Sequence, residues 1–516
     1  MSVLASAGFD DSEDDSAKRP SVQVGDPYEE KRLIEACLEL LNEGLVVGIQ
    51  DLGGAGFVCA TSETASRGGM GMDVDVTAVH RRQEGMEPFE VMTSESQERM
   101  LAIVEPDGVD RVLELCAKWE VQASVVGKVV EGGALRILDG WEGEELANIP
   151  ASSLHDAAPL YDRPMEEPDR SGETDPATLD TPADVWSDLT DMLMDTSWVH
   201  NQYDSQLFLN TVVGPGSDAT LLRLKHPETN VDTGRGVGIT TDGNHHWCIV
   251  NPFRGTAMTV AESILNLACV GAKPLALVNN LNFGNPEHPV TMWQLSQSVD
   301  GMTEACDAFT VPVVGGNVSL YNEANGHNID PTPVVGMLGM TDTIEHAPPG
   351  MALTEGHRII VLGPEGSGLG GSLWARGQGA QGGDLPALDY DMHLRVAEVT
   401  RKLVADGTLS AVHDIGGGGL GVALTEMAIA GGVGAIAARV ADHDALFSEA
   451  PSRVIVAVAP DNMQIVEELA ASMDVPLTRL GLATGDQISF KGLVEGSLED
   501  ATSQWRDRLP TAMGAQ

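Results

Sequence analysis

Basic residues are scarce in this chain of 516 residues, in which 30 Lys and Arg face 77 Asp and Glu and the formal net charge is −47. A surface this acidic repels a phosphate backbone, so nucleic-acid binding through a basic face is excluded. The acidic residues are spread along the chain, and Lys is rarer than Arg. This composition is typical of a protein adapted to high salt, where counterions screen the repulsion between like charges.

Long apolar runs and cysteine motifs are also missing. No stretch approaches the ~20 apolar residues of a membrane span, and the first residues do not have the pattern of a signal peptide. The six cysteines form no CxxC pair and do not cluster with histidine. The sequence therefore predicts a cytoplasmic protein with reduced cysteines, and an aromatic content of only 4% predicts cores built from aliphatic side chains.

Glycine is abundant, with 58 residues, and its distribution reveals an internal duplication. Residues 45–71 resemble residues 409–434, so that Asp51 and the glycines after it correspond to Asp414 and its glycines, 363 positions later. Residues 94–107 resemble residues 448–461, 354 positions later. Matches of this length predict two copies of one structural unit.

Each copy has the pattern of an α/β unit. In the first, Asp26 and Pro27 predict the start of a helix over about 28–43, and Gly44 predicts its end. A strand up to Asp51, a second helix ending near 68–69, strands at 72–76 and 99–104, a helix over about 108–118 and strands near 125–130 and 135–138 follow. This alternation predicts a layered α/β sandwich.

The second copy has an additional strand in front, at 358–362, whose counterpart in the first copy would precede Met1. We therefore expect the first copy to begin part-way into its unit. A sheet without its first strand has an unpaired edge, which is a hazard for a folded protein. The sequence predicts a chain that is incomplete at its amino terminus.

Asp51 and Asp414 each follow a strand and precede a glycine-rich turn that opens a helix. Ligand crevices of α/β sheets lie at this position. The amides of Gly53, Gly54 and Gly56 could approach phosphate oxygens at the positive helix end, while the carboxylate holds Mg²⁺. The alternative is that each acid only caps the following helix, and the spacing alone does not decide between the two.

Polar side chains precede the strand predicted at 99–104. Glu95, Ser96 and Gln97 could hydrogen-bond a polar small molecule, although the same residues would also suit a solvated turn. Gln23 stands in a similar position in a loop.

A second group of polar residues follows a predicted strand and glycine turn at 313–316. Gly316 permits a close backbone approach, the amide oxygen of Asn317 suits a hard cation, and the hydroxyl of Ser319 could contact phosphate. The alternative is a pair of asparagine-glycine turns, since no P-loop and no Ser-His-Asp arrangement is present.

These positions belong to a series of long sequence motifs that extends from about residue 6 to 495. The motifs are VQVGDPYEEKRLIEA, QDLGGAGF, SESQERM, NQYDSQ, NLNFGNPEHP, VVGGNVSLYNE, PTPVVGMLG, HDIGGGGLGVALTEMA and LFSEAPSR. The series resembles the large, ATP-using subunit of phosphoribosylformylglycinamidine synthase, an enzyme of purine biosynthesis.

The resemblance implies an internally duplicated α/β fold of the aminoimidazole-ribotide-synthetase type, in which each half has a barrel-forming module followed by a sandwich module. On this mapping residues 1–155 form the first sandwich module, 156–189 an acidic, Pro-rich solvated linker, 190–345 the second barrel-forming module and 346–510 the second sandwich module. The first barrel-forming module is absent.

The resemblance also implies a reaction. ATP phosphorylates the amide oxygen of formylglycinamide ribonucleotide, and ammonia from a glutaminase subunit displaces the phosphate to give the amidine, with a small third subunit assisting assembly. The implied substrate-binding residues are Gln23, Glu95, Ser96, Gln97 and Ser319; the implied ATP-binding residues are Asn279 and Gly316; the implied Mg²⁺ ligands are Asp51 and Asn317.

The sequence departs from the family at two levels. Many relatives have Asp where this chain has Asn279, and the family's proton-accepting His lies in the absent module, so no catalytic residue is assigned. A mis-called gene start, a split gene and a decaying copy would each explain the absence. The alternatives to the ligase are a non-catalytic nucleotide-binding scaffold and an ATP-dependent kinase of the same superfamily.

Overall fold

The computed structural model describes residues 25–81 and 85–514. The chain divides into two compact units, Met1–Asp162 and Arg163–Gln516, and each has its own hydrophobic clusters. Gln23 lies outside the described residues. Within the described ranges, no helix has both the length and the apolar character that crossing a membrane requires.

The described part of the first unit contains four α-helices and six strands. They are α1 (Pro27–Asn42), β1 (Val46–Asp51), α2 (Gly56–Gly68), β2 (Gly71–Asp75), α3 (Pro88–Thr93), β3 (Met100–Val104), α4 (Val109–Lys118), β4 (Gly127–Val130), β5 (Ala134–Asp139) and β6 (Glu144–Pro150).

Helix α1 confirms the helix predicted over 28–43, and its ends follow from local chemistry. The Asp26 carboxylate accepts a hydrogen bond from the Tyr28 amide at 3.1 Å, which caps the first turn. Gly44, with φ of +67°, follows the last turn in the left-handed conformation that glycine tolerates best. Leu40 is buried in a small cluster with Leu115 of α4, so the apolar face of α1 holds the helix on the unit.

The second unit begins with α5 (Val185–Asp191) and α6 (Ser197–His200) and continues through a barrel-type sheet region. That region comprises β7 (Thr211–Val213), β8 (Thr220–Lys225), β9 (Asp232–Asp242), α7 (His245–Val250), α8 (Pro252–Cys269), β10 (Lys273–Asn282), α9 (Pro289–Phe309), β11 (Val313–Ser319), β12 (Glu323–Ala324), β13 (His327–Asn328) and β14 (Thr332–Thr341).

The rest of the second unit is a sandwich region. It comprises β15 (Arg358–Leu362), α10 (Leu373–Gly377), α11 (Tyr390–Ala405), β16 (Ala411–Asp414), α12 (Gly419–Gly431), β17 (Ala435–Ala437), α13 (His443–Phe447), β18 (Val454–Val458), α14 (Met463–Ser472), β19 (Leu477–Ala483), β20 (Gln487–Phe490), β21 (Val494–Ser497) and α15 (Leu498–Ala512).

The six-stranded sheet of the second unit has the order β11-β10-β14-β9-β8-β7. Helix α8 packs on this sheet and on α9 and α11, which explains why nearly all of its side chains are buried. Strand β11 is an edge strand that continues through Gly316, with an irregularity in its register against β10 between Val313 and Gly315. The glycine turn predicted at 313–316 is therefore wrong, because pairing with β10 keeps these residues extended.

The two copies build the same sheet with one difference. The second copy forms a seven-stranded sheet in the order β16-β18-β15-β19-β17-β20-β21. The described residues of the first copy form two separate sheets, β1-β3 and β4-β2-β5-β6. The described residues of the first copy contain no equivalent of β15, which in the second copy lies in the centre of the sheet, between β18 and β19.

The acidic segment predicted as a solvated linker over 156–189 needs correction in its second half. Leu189, in α5, is fully buried in the hydrophobic cluster of the second sandwich region. The Trp186 indole donates to the Asp500 carboxylate at 2.8 Å, and the Gly382 amide donates to the Thr174 carbonyl at 2.9 Å. Proline and acidic residues therefore belong here to a docked segment of the second unit, which composition alone did not indicate.

Candidate functional site

The first candidate site lies where β1 ends. Asp51 is the last residue of β1 and is exposed, and the Gln50 amide donates to its carboxylate at 3.0 Å. The glycine-rich turn follows, and α2 begins at Gly56. This is the predicted arrangement of strand, acid, turn and helix.

The loop that carries three predicted substrate-binding residues packs on this turn. The Glu95 carboxylate accepts a hydrogen bond from the Ala55 amide at 3.0 Å. A Cβ atom at Gly56 would lie only 2.0 Å from the Ser94 carbonyl oxygen, so glycine is required for the close approach. The Gly56 amide itself donates to the Gly53 carbonyl at 3.0 Å. The Ala55 amide is therefore hydrogen-bonded to Glu95, and the Gly56 amide is hydrogen-bonded within the turn. This corrects the expectation that the Gly56 amide faces a phosphate.

Arg99 holds the same loop in place. Its guanidinium donates to the Ser94 carbonyl at 2.6 Å and to the Ser96 carbonyl at 3.0 Å, and it lies 5.4 Å from the centre of the Phe57 ring. The Gln97 side chain donates to the Glu95 carbonyl at 3.5 Å. The half-buried side chains of Ser96 and Gln97 therefore extend from a loop whose backbone carbonyls accept hydrogen bonds from the Arg99 and Gln97 side chains.

The second copy repeats these contacts residue for residue. Glu449, the counterpart of Glu95, accepts from the Gly418 amide at 2.7 Å, and Arg453, the counterpart of Arg99, donates to the Ala450 carbonyl at 2.9 Å. Glu449 is buried and also accepts from the Trp247 indole at 2.8 Å. The glutamate and the arginine of both copies therefore have a structural role. For Glu95 this role is additional to the predicted contact with substrate.

The acids at the strand ends differ sharply between the copies. Asp414 is buried, and the His413 imidazole lies 2.6 Å from Asp218 and 3.8 Å from Asp414. Burial raises the pKa of Asp414 to about 7, and the charge of Asp218 acts in the same direction. Burial alone would lower the pKa of His413, but the charge and the hydrogen bond of Asp218 outweigh it and raise that pKa. The ligand atoms of these three residues lie within 4.8 Å of one another, so they could hold a metal ion or share protons.

Further oxygen donors are present in the same unit. The Asp242 carboxylate accepts from the Ser263 hydroxyl at 2.6 Å and from the Asn266 amide at 2.7 Å. The Asn266 carbonyl oxygen is buried and has no hydrogen-bond partner within the described part of the chain. Burial and the charge of Asp242 raise the pKa of Glu262. The sequence singled out Asp414, and the adjacent His413 lies in the same strand, whereas Asp218, Asp242 and Glu262 come from a loop, a strand and a helix far apart in the sequence and share no motif.

The β10–β11 pair brings together the remaining predicted residues. In this parallel pair Asn279 lies opposite Gly316 and Asn282 opposite Ser319. A Cβ atom at Gly316 would lie 2.1 Å from the Asn279 side-chain oxygen, so an alanine here would require the Asn279 side chain to move. The Asn317 amide nitrogen donates to the Asn280 side-chain oxygen at 3.0 Å, which leaves the Asn317 oxygen as its potential cation ligand.

The predicted Mg²⁺ ligands have suitable chemistry but lie in different units. Mg²⁺ prefers oxygen donors and usually binds to one or two carboxylates together with water and substrate phosphates. Asp51, in the first unit, offers an exposed carboxylate, and Asn317, in the second, offers an amide oxygen on the exposed strand β11. Each of the two oxygen donors, taken by itself, therefore has chemistry that suits its own Mg²⁺, with water and a substrate phosphate as further ligands.

Comparison with known families gives matches in both units. The model of the C-terminal domain of AIR synthase related proteins matches residues 2–140 and 354–491, and that of the N-terminal domain matches residues 216–341. The chain thus has an AIR-synthase-like α/β fold, and the twice-matched C-terminal domain coincides with the duplicated part of the sequence.

Individual relatives match almost the whole chain. Phosphoribosylformylglycinamidine synthase subunit PurL of Moorella thermoacetica is 42% identical over 97% of this chain and 70% of its own length. Among solved structures, T. maritima PurL complexed with ATP has a TM-score of 0.62 and 28% identity, covering 90% of this chain and 68% of its own. T. maritima PurL complexed with FGAR has a TM-score of 0.63 and 28% identity, covering 90% of this chain and 66% of its own.

Proposed function

We propose a function for these residues from the premise that this chain belongs to the PurL family of phosphoribosylformylglycinamidine synthase subunits. The protein is an ATP-dependent ligase of purine biosynthesis that converts formylglycinamide ribonucleotide to formylglycinamidine ribonucleotide. The high identity to PurL over nearly the whole chain is the observation that carries this conclusion.

Residues from two surfaces would bind the ribonucleotide substrate. Ser96 and Gln97, on the loop fixed by Arg99, and Ser319, at the end of β11, offer hydroxyl and amide groups that can hydrogen-bond a ribonucleotide. Gln23 would join them. Glu95, whose carboxylate accepts from the Ala55 amide, would bind substrate as well.

The paired strands β10 and β11 would bind ATP. Gly316, which has no side chain, lets ATP approach the strand beside Asn279. Asp51 would hold one Mg²⁺ and Asn317 another, and bound Mg²⁺ would neutralise charge on the phosphoryl group during its transfer to the substrate amide oxygen. Ammonia then adds to the activated carbon and phosphate leaves. This chain's residues bind and orient the two reactants for that sequence.

The wider organisation is proposed on the family resemblance. Residues 1–155 would be the first sandwich module, 190–345 the barrel-forming module and 346–510 the second sandwich module. Residues 156–189 would join the first two, with their second half docked on the second unit. A glutaminase subunit would supply ammonia and a small subunit would assist assembly, in the cytoplasm.

The test is an assay of ADP and amidine formation with formylglycinamide ribonucleotide, ATP, Mg²⁺ and ammonium in high salt. We expect ADP and amidine to form in equal amounts, and only when the ribonucleotide, ATP, Mg²⁺ and ammonium are all present. A folded, soluble protein that forms neither product in the complete mixture would count against the ligase for this chain.

A non-catalytic nucleotide-binding scaffold is the second candidate function. The cluster of Asp218, His413 and Asp414 favours it, because these donors could hold a nucleotide-bound cation in a copy whose loop has Ala450 where the first has Ser96. Calorimetry separates the candidates, since a scaffold would bind ADP tightly and show no heat of binding with the ribonucleotide.

A further inference from the structure

A small recess lies between α7 and α10 in the second unit, and we call it the α7–α10 recess. Its lining includes His246 and Val250 of α7, Arg376 of α10 and Gln381, which follows α10. It has room for about one water molecule and is open to solvent on one side. None of the residues proposed above for substrate, ATP or Mg²⁺ lines it. The recess is therefore formed by residues that the proposed reaction does not use.

Groups that carry or accept positive charge meet at the α7–α10 recess. The ring centroids of His245 and His246 lie 3.8 Å apart, and the positive charge of Arg376 acts on both imidazoles. Burial lowers the pKa of both rings, and the charges of His245 and Arg376 help to bring the pKa of His246 to about 4. The Asp330 carboxylate opposes the shift in the pKa of His245 only. Among the described residues, the surroundings of His246 therefore hold positive charge without an opposing carboxylate.

Two polar groups that line the recess are not satisfied within the protein. Nδ1 of His246 is buried and has no hydrogen-bond partner in residues 25–81 and 85–514. In the same ranges the exposed Arg376 guanidinium forms neither a hydrogen bond nor an ion pair, although acidic residues outnumber basic ones in this chain by 77 to 30. Buried polar atoms normally have a partner, so we expect an atom of water or of a ligand beside Nδ1.

Hydrogen bonds fix the two sides of the recess relative to each other. The Glu449 carboxylate accepts from the Trp247 indole at 2.8 Å and from the Leu373 amide at 2.8 Å, and these two residues belong to α7 and α10. Arg170 donates to the carbonyl at the end of α7 and to a carbonyl just after α10. The elements that carry His246 and Arg376 are therefore already held in place, which lowers the cost of binding a ligand between them.

We propose that the α7–α10 recess binds a phosphate group, with one phosphate oxygen inside the recess and the others at its mouth. The inserted oxygen accepts a hydrogen bond from the neutral His246 ring, in the tautomer that carries its proton on Nδ1. The Arg376 guanidinium donates to the outer oxygens, because its planar fork matches the spacing of phosphate oxygens. A water molecule would satisfy Nδ1 but would leave the charge of Arg376 without a counter-charge. Inorganic phosphate and the phosphate of a monoester present the same oxygens, so the recess recognises the group itself.

The test is hydrogen exchange of the full chain, followed by mass spectrometry, at constant KCl with and without inorganic phosphate or ribose 5-phosphate. Ligand at ~20 mM saturates a site with a Kd of ~1 mM. We expect the amides of 245–250 and 371–381 to exchange at least ~3-fold more slowly with ligand, because binding to the folded form protects the elements in contact with it. Helix α1, in the first unit, is the reference and should not change. The ligand with the larger effect identifies the source of the phosphate.

Two variants each remove one contact with the phosphate. The Arg376 side chain is exposed, so Arg376→Gln should not change the melting temperature, and His246→Phe keeps an aromatic ring in place of the imidazole. We expect either variant to weaken phosphate binding at least ~10-fold. Arg439→Gln is the matched control, since it removes the same charge from the same unit. The Arg439 side chain is exposed, has no partner in the described part of the chain and does not line the recess.

Protection by phosphate that Arg376→Gln and His246→Phe abolish and that Arg439→Gln retains would establish the site. Absence of protection at the highest ligand concentration would overturn the proposal and mean that water fills the recess. Protection that His246→Phe leaves intact would overturn it as well. So would an equal loss in Arg376→Gln and Arg439→Gln, because net charge would then control binding. None of these measurements uses enzyme activity, so the result is independent of the proposed function.

Discussion

Replacement of Gly56 by alanine should destabilise the first unit, and the structure gives the size of the effect. Gly56 has φ of +52°, and a left-handed conformation costs a residue with a Cβ atom ~1–2 kcal/mol. The added Cβ would also lie 2.0 Å from the Ser94 carbonyl oxygen, a backbone atom that must move. Overpacking of this kind typically costs ~1–3 kcal/mol, so we expect a total loss of about 3 kcal/mol.

The displaced atom belongs to the loop that presents Ser96 and Gln97, so the substitution should also loosen the contact between Glu95 and the Ala55 amide. For a unit of this size about 3 kcal/mol corresponds to a melting temperature lower by ~6–12 °C. Gly54→Ala is the matched control, because its Cβ would meet no atom within 4 Å. That variant should change stability by less than ~1 kcal/mol.

Hydrogen exchange with mass spectrometry during a thermal series measures the two units separately. We expect faster exchange in 94–104 for Gly56→Ala, with the second unit unchanged. Equal melting temperatures for Gly56→Ala and Gly54→Ala would refute the argument that the close approach of the loop to the turn requires glycine.

Three further predictions concern substitutions in the second unit. Gly316→Ala should weaken ATP binding by at least ~10-fold in calorimetry, because its Cβ would lie 2.1 Å from a side-chain oxygen, whereas Gly315→Ala, with its nearest atom at 3.8 Å, should bind as the parent does. Asp414 has a folded-state pKa of about 7, above its ordinary value, so it stabilises the fold at low pH and that contribution is lost as the pH rises from about 4 through 7. The melting temperature of the second unit should fall over this range, and Asp414→Asn should flatten the dependence; a parent protein that gains stability towards pH 7 would contradict this sign. Glu449→Ala should destabilise its unit by ~3 kcal/mol or more, since the Trp247 indole and the Leu373 and Gly418 amides lose their acceptor at ~1–3 kcal/mol each, and an unchanged midpoint of urea unfolding would argue against it.

The amino-acid sequence by itself determined the local elements of this protein. The helix cap at Asp26, the left-handed glycines and the alternation of strands and helices are properties of short segments, so the predicted helix over 28–43 and the strand up to Asp51 were confirmed. The duplication was equally visible, because repeated glycine and acid positions need no knowledge of the fold. The family followed from motif order, and the comparisons confirmed it.

Tertiary structure decided which distant segments meet. Strand β15 lies in the centre of its sheet although it comes first in its copy, because sheet order is set by pairing between strands far apart in sequence and cannot be read from strand order along the chain. The burial of Asp414 beside Asp218, and the exposure of its counterpart Asp51, arise from elements packed around each acid. Hydrogen-bond partners of turn amides, such as Glu95 for Ala55, are likewise fixed only when two loops are folded against each other.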